Sequence, residues 1–306
     1  MPEHATESGF AHKVELCQTL EGHQGAVYDL GLDRQGNLLS AGGDGLVVAW
    51  EKGTSRRGGS EVFDARGRAL AQCGEPIFCL ASMGTSGVLA GTASGGLLTI
   101  APPDRWRQEH RHDGGTYVIT ERGTGGADGR WLDRETGNER AAVPGRIRCV
   151  LEVDNHAGKG TLIGTSEGRI HQEGSPWVLD AHEGAVRALL HWPGKSAFAS
   201  AGGDGRMVIW RNQQEGPPER VLSVDAHKGA IYRMQAHPEG RWVATVSRDR
   251  SIALWDAVTL DLHLRVARPH QPGHMRSVNA LCWLDDRTWA TAGDDGRILI
   301  WKLRPD

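Results

Sequence analysis

Short apolar runs separated by tight turns recur along most of the chain. In "NLLSAGGDGLVVAW" and "RTWATAGDDGRILIW" two such runs flank a glycine-containing turn, and a third run precedes the pair, as in "GAVYDLGLD". Runs of this kind favour strands, and glycine adopts the positive φ of a tight turn at little cost. The pattern therefore predicts antiparallel meanders rather than βαβ units, and an all-β protein.

Four residue types recur at fixed spacing around four of these hairpins. A His is followed 21 or 22 residues later by an Asp, with a Ser or Thr four residues before the Asp and a Trp six residues after it. Such a set can form one hydrogen-bond chain inside a buried sheet. A Ser-His-Asp nucleophile site uses similar residues but would not occur four times in one chain, so we interpret the sets as structural. The sets are His23, Ser40, Asp44, Trp50; His182, Ser200, Asp204, Trp210; His227, Thr245, Asp249, Trp255; and His274, Thr291, Asp295, Trp301.

These sets resemble the repeats of the WD-repeat β-propeller family. The resemblance lies in the Gly-His or Ala-His opening and in a terminal Trp followed by a polar residue. The Trp-Asp dipeptide is kept at Trp255-Asp256, whereas Glu51, Arg211 and Lys302 follow the other three tryptophans. The four clear repeats cover about half of the chain. The resemblance implies four-stranded antiparallel blades arranged around a central channel.

The spacing of the repeats predicts the number of blades. Neighbouring clear repeats lie 45 residues apart (His182 to His227) and 47 apart (His227 to His274), whereas His23 and His182 are 159 residues apart. That interval fits four units of about 40 residues, the usual length for this family. We therefore predict a seven-bladed propeller, with a six-bladed one as the alternative.

The second to fourth blades are degenerate in sequence. The second carries Ala90, Ser94 and Ile100 in place of Ser40, Asp44 and Trp50, the third is the compact segment "GTYVITERGTGGADGRWLD", and the fourth has Glu167 near the Asp position. Because none shows the complete polar set, we expect apolar packing to hold these blades. Their tryptophans, expected to be exposed, are interpreted as packing residues rather than ligands: Trp106, Trp131 and Trp177.

The two ends of the chain predict how the ring closes. After Trp301 too few residues remain for an outer strand, whereas "HKVELCQTL" before His23 has the pattern of a strand. We expect this N-terminal strand to complete the last blade, which protects sheet edges that would otherwise aggregate. Residues 1–10 are predicted to be a disordered tail, and 11–306 a single propeller domain.

Composition narrows the function classes. The net charge of −3 does not indicate electrostatic attraction of the whole chain to nucleic acids or membranes. Neither an apolar run near 18 residues nor a signal peptide is visible. No cofactor motif is found, and no metal site is expected: "HRHD" at His110–Asp113 is interpreted as a solvated loop. The five cysteines are odd in number and lack paired metal spacing, which predicts a reduced, cytoplasmic location: Cys17, Cys73, Cys79, Cys149 and Cys282.

One recurring position carries the candidate site. It directly follows the first apolar residue of each blade's first strand, and all three tyrosines of the chain occupy it. The resemblance implies that this position lies near the central opening, on the face that bears the His and Asp loops. Arg248, beside Asp249, would extend the cationic side. The seven occupants are Tyr28, Phe78, Tyr117, Arg148, Arg187, Tyr232 and Asn279.

We interpret this ring as a binding surface, because Tyr and Arg are enriched in interaction hot spots. The alternative is that its side chains fill the channel. The predicted function is a non-enzymatic scaffold for a protein or peptide partner, and Arg148 and Arg187 would favour an acidic or carboxylate-bearing one. A propeller enzyme or small-ligand binder is the alternative, although the ring position shows no carboxylate or His. A third hypothesis is nucleic-acid binding, which the net charge disfavours. It would use the arginines Arg56, Arg57, Arg66 and Arg68.

Overall fold

The computed structural model describes residues 13–53, 62–83, 87–101, 105–155, 158–269 and 272–304. The predicted tail, 1–10, lies outside these residues, as do Arg56 and Arg57. Regular structure in the described ranges consists of strands, and no helix long and apolar enough to cross a membrane is found there.

Seven four-stranded antiparallel sheets account for nearly all of the strands, so the seven-bladed prediction is confirmed. Blades 1 to 4 comprise β2 (Val27–Leu32), β3 (Leu38–Gly42), β4 (Leu46–Trp50) and β7 (Arg68–Gln72); β8 (Ile77–Ser82), β9 (Val88–Thr92), β10 (Gly96–Ala101) and β11 (Arg105–His110); β12 (Thr116–Ile119), β13 (Gly123–Gly126), β14 (Arg130–Asp133) and β15 (Glu139–Ala142); and β16 (Ile147–Asn155), β17 (Gly158–Thr165), β18 (Arg169–Gln172) and β19 (Val178–Asp180).

The remaining blades are built in the same way. Blades 5 to 7 comprise β20 (Val186–His191), β21 (Ala197–Gly202), β22 (Arg206–Arg211) and β23 (Glu219–Asp225); β24 (Ile231–Ala236), β25 (Trp242–Ser247), β26 (Ile252–Asp256) and β27 (Leu262–Val266); and β28 (Val278–Trp283), β29 (Thr288–Gly293), β30 (Arg297–Leu303) and β1 (Val14–Glu21). A small hairpin on blade 1 pairs β5 (Lys52–Gly53) with β6 (Val62–Phe63).

The first strands of neighbouring blades contact one another around the full circle, from β2 and β8 through to β28 and β2. Closure is made by β1, which pairs antiparallel with β30 from Val14 opposite Leu303 to Glu21 opposite Arg297. Leu20 of β1 is buried in the apolar cluster between blades 7 and 1. The predicted closure by the N-terminal strand is therefore confirmed.

The four predicted polar sets all form. In blade 1 the His23 Nδ1–H donates to Asp44 (2.9 Å), and His23 Nε2 accepts from the Ser40 hydroxyl (2.7 Å). The Trp50 indole N–H then donates to the same hydroxyl oxygen (2.9 Å). The other three sets repeat this chain. Each buried polar group is satisfied by the next, which is why the motif holds the strands of a blade in register.

Blade 3 corrects the expectation that the degenerate blades lack this chain. His112 is buried and bonds Asp128 through Nδ1 (3.0 Å) and Thr124 through Nε2 (3.0 Å). Trp131, expected to be exposed, is fully buried, although its indole N–H has no partner among the described residues. The interpretation of "HRHD" as a solvated loop was therefore wrong for His112, which belongs to the polar chain of blade 3. The other histidine of the motif, His110, is exposed.

Blades 2 and 4 hold their turns by other polar contacts. In blade 2, Glu75 accepts hydrogen bonds from the backbone and side chain of Ser94 (2.6 and 2.7 Å) and from Gln108. Between blades 3 and 4, the Arg122 guanidinium donates to the Gly160 carbonyl oxygen (2.7 Å). Buried apolar clusters also occupy these blades, so the polar contacts add to the expected apolar packing. Of the other two tryptophans expected to be exposed, Trp106 is 43% exposed, as expected, whereas Trp177 packs half-buried against an apolar cluster.

Candidate interaction site at the propeller mouth

In every blade the ring residue is excluded from the strand pairing. In blade 1, Val27 pairs with Gly42 and Asp29 with Ala41, so Tyr28 between them is left as a β-bulge. The same irregularity occurs at the matching residue of all six other blades. A bulge bends the strand and redirects a side chain away from the regular sheet face. The residue before the bulge is buried in each blade, and the bulged residue is half-buried.

These seven side chains line one cavity of about 380 Å³. They therefore surround an open space rather than filling the channel. Two residues that the sequence pattern missed, Arg233 and Asp294, complete the lining. We call this cavity the mouth; its lining residues are Tyr28, Phe78, Tyr117, Arg148, Arg187, Tyr232, Arg233, Asn279 and Asp294.

Aromatic rings cover the side of the mouth formed by blades 1 to 3. Tyr28 meets Phe78 edge-on with ring centroids 5.6 Å apart, and Phe78 stacks on Tyr117 at 5.3 Å. Aromatic pairs in these geometries restrain each other and present a broad apolar surface. This side of the mouth is therefore a preformed wall rather than a set of independent side chains.

Two arginines form the opposite side. The Arg148 guanidinium lies 4.4 Å from the Tyr117 ring centroid, and that of Arg187 lies 4.7 Å from the Tyr232 ring centroid. The Nε of each is buried and has no hydrogen-bond partner among the described residues. Burial, together with the neighbouring charge of Arg148, lowers the pKa of Arg187. The two side chains thus place uncompensated positive charge at the boundary of blades 4 and 5.

The acidic groups near the mouth are already bonded to partners. Asp294 accepts a hydrogen bond from the Asn279 amide (2.7 Å). Burial, together with the negative charge of Asp294, raises the pKa of Tyr28. Asp29, one residue beyond Tyr28, pairs with Arg233 and also accepts the Leu80 backbone N–H (2.8 Å). These carboxylates therefore fix the walls and do not neutralise Arg148 or Arg187.

Arg248 does not line the mouth. Its side chain is exposed on the adjacent turn, although it is near enough for its charge to act on Arg187. The missed residues had weak signals in the sequence: Arg233 directly follows the ring residue Tyr232, and Asp294 directly precedes the repeat residue Asp295.

Groups suited to catalysis are sparse at this site. Cys149, which follows Arg148, is buried behind the mouth, and burial raises the pKa of its thiol. Within the described ranges, no cluster of three or more His, Cys, Asp or Glu side chains is arranged to hold a metal ion. The arrangement offers aromatic area and guanidinium donors, which suit binding.

Sequence comparisons agree with this architecture. The family model described as "WD domain, G-beta repeat" matches residues 14–51, 175–211, 218–256 and 267–302. A 66 kDa stress protein of Physarum polycephalum is 25% identical over 54% of this chain and 26% of its own length. Human WD repeat-containing protein 55 is 26% identical over 40% of this chain and 32% of its own length. The Drosophila melanogaster LST8 homolog is 26% identical over 41% of this chain and 40% of its own length.

The chain therefore matches less than half the length of each of these relatives. Among solved structures, the WD40 β-propeller domain of Doa1 superposes with a TM-score of 0.78, covering 94% of this chain and 96% of that one. At 15% sequence identity this likeness shows the fold alone. With four matched repeats, seven four-stranded blades and a propeller neighbour, the chain belongs to the WD-repeat β-propeller family.

Proposed function

We propose that this protein is a non-enzymatic interaction scaffold that receives a segment of a protein partner in its mouth. WD-repeat propellers typically serve as protein-interaction scaffolds. The observation that carries the proposal for this chain is the convergence of seven bulged side chains on one open cavity. Because these residues are aromatic, guanidinium or amide groups, they supply contact area and polar specificity together.

The partner segment carries an acidic group. Arg148 and Arg187 provide two guanidinium ions without ion-pair partners among the described residues, and guanidinium groups recognise carboxylate or phosphate in a forked geometry. The aromatic side of the mouth would accommodate apolar parts of the same segment. This charge distribution favours an acidic peptide over a nucleic acid, which needs a basic surface extending beyond one cavity.

A reducing compartment such as the cytoplasm is the location that we propose. All five cysteines are free thiols, and four of them are buried. Burial raises the pKa of Cys79 to about 12, so this thiol stays protonated and unreactive. Free thiols are the usual state of cysteines in reducing compartments.

Affinity capture from source cells tests the proposal. We expect the variant Tyr28→Ala/Arg187→Ala/Tyr232→Ala to lose partners that the wild-type protein retains. The matched control is Trp106→Ala/Arg211→Ala, which removes an exposed aromatic and an exposed guanidinium from the outer part of blades 2 and 5. Circular dichroism confirms that each variant is folded. Retention of every partner by the folded mouth variant would refute binding at the mouth.

The cavity also fits a small ligand, because about 380 Å³ lies in the range of small-molecule sites. Screening the purified protein against a metabolite mixture by native mass spectrometry tests this second function. A ligand that the mouth variant fails to retain would support it.

A further inference from the structure

The three arginines that line the mouth differ in their charge compensation. Arg233, on blade 6, forms an ion pair with Asp29 on blade 1, and blade 7 lies between these two blades. Neither Arg148 nor Arg187 has an ion pair or side-chain hydrogen bond within the described part of the chain, and both Nε atoms are buried. A desolvated cation without a counterion is costly, and two adjacent ones are more so. An external anion would remove this cost.

The geometry of the two side chains leaves their hydrogen-bonding edges for a ligand. Each guanidinium carbon lies over a tyrosine ring, that of Arg148 over Tyr117 and that of Arg187 over Tyr232, and neither side chain donates a hydrogen bond to a described residue. The N–H groups lie in the plane of the guanidinium and form the fork that binds carboxylate or phosphate oxygens. The contact with the ring also restrains the side chain before a ligand binds.

We propose that Arg148 and Arg187 together form an oxyanion seat for a single carboxylate or phosphate group, and that this group anchors the bound segment. The inference rests on the proposed function and deepens it. One group rather than two is expected because the arginines lie on the contacting first strands of blades 4 and 5, where a shared anion screens their mutual repulsion. A phosphate ester, with a charge near −2, matches two cations better than a carboxylate does.

The rest of the mouth sets the orientation of the ligand. Asp29 already accepts the backbone N–H groups of Leu30 (3.0 Å) and Leu80 (2.8 Å) as well as Arg233, so the ion pair is closed and offers no second anion site. Asp294 lies on the blade 7 side and repels anions. The oxyanion is therefore placed at blades 4 and 5, and the apolar part of the segment lies against Phe78 and Tyr28.

Inorganic phosphate is the first probe, titrated against chloride at matched ionic strength and against acetate. The readouts are the thermal unfolding midpoint and the arginine Nε–H resonances in a ¹H–¹⁵N NMR spectrum. The variant is Arg148→Gln/Arg187→Gln, and the matched control is Arg211→Gln at an exposed arginine. We expect phosphate to raise the midpoint of the wild type and the control and to bind the double variant at least tenfold more weakly, with acetate giving a smaller effect.

An equal phosphate response in the wild type and the double variant, or no response in either, would overturn the oxyanion seat. Partner capture separates this result from the proposed function. If the double variant still captures the partners that the Tyr28→Ala/Arg187→Ala/Tyr232→Ala variant loses, the mouth binds its partner and the seat does not anchor it. For partners that the double variant loses, loss of wild-type capture after phosphatase treatment of the lysate identifies a phosphate group as the source, and unchanged capture identifies a carboxylate.

Discussion

A single residue in each blade connects the fold to the candidate function. It is the bulged residue of the first strand, such as Tyr28 or Arg187, which makes no regular ladder pair and faces the mouth. Because the bulge separates this side chain from the packing of the sheet, its identity is free to vary between aromatic, cationic and amide types without disturbing the blade. The blade therefore fixes a position, and the residue there sets the chemistry.

Arg250 shows the cost of a side chain where the other repeats use glycine. It has a φ of 73°, whereas the equivalent turn position is Gly45 or Gly205 in blades 1 and 5. A non-glycine residue in this region costs about 1–2 kcal/mol, against an entropy cost of about 0.5–1 kcal/mol for glycine. We expect Arg250→Gly to raise the free energy of unfolding by up to about 1 kcal/mol in urea denaturation.

The matched control is Gly205→Arg, where a Cβ would overlap the His227 carbonyl oxygen, and it should destabilise the protein. A lower stability for Arg250→Gly would show that contacts of the Arg250 side chain outweigh the backbone strain.

At the scale of the element, blade 3 shows how a short blade keeps the polar chain of the long ones. Its strands β12 and β13 have four residues each, and His112 lies 16 residues before Asp128 rather than 21 or 22. The bonds to Asp128 and Thr124 nevertheless match those of blade 1. The shorter spacing hides the set in the sequence, because the shortened strands remove residues between the two polar groups.

Two histidines of the same short segment, His110 at the end of β11 and His112 just after it, provide a matched test of this blade. We expect His112→Ala to lower the free energy of unfolding by about 2–3 kcal/mol, because it leaves the buried Thr124 hydroxyl and Asp128 without their partner. His110→Ala, at an exposed side chain, should change stability by less than about 0.5 kcal/mol. Thermal and urea denaturation measure both. Equal effects of the two substitutions would contradict the assignment of His112 to the blade.

At the scale of the whole molecule, stability is distributed over seven similar units that are joined in a ring. The strand β1 belongs to the first part of the chain but completes blade 7, so the two ends of the described chain fold together. The ion pair of Asp29 with Arg233 adds a second link from blade 1 to blade 6. The ring therefore closes by backbone pairing at its periphery and by charge pairing near its centre.

The repeated His–Asp pairs predict an acid-sensitive ring. Burial, opposed in part by the neighbouring Asp, lowers the pKa of His112, His182 and His227 below the ordinary 6.5. The unfolded chain therefore binds protons first as the pH falls, so stability is full above 6.5 and declines below it. Urea denaturation from about pH 8 to about pH 5 should show this decline, which His182→Asn should reduce.

The carboxylates of the sets act in the same direction at lower pH. Although burial raises the pKa of Asp44 and Asp295, hydrogen bonds from His and backbone N–H groups outweigh it and lower both values. Their stabilisation is present above the ordinary 3.8 and is lost as the pH falls through the lowered values. Stability that stays constant from neutral pH down to about pH 5 would contradict buried neutral histidines.

The sequence alone predicted the repeat, the seven blades, the closing strand and the seven ring residues, because repeat spacing, the family resemblance and the pattern at the chain ends are all visible in it. Tertiary structure decided what spacing does not record. Arg233 and Asp294 joined the mouth because residues distant in sequence meet around the channel. Arg248 remained outside it because its turn is exposed. Likewise, the lack of an ion-pair partner for Arg148 and Arg187 depends on where every described carboxylate lies, which only the folded ring establishes.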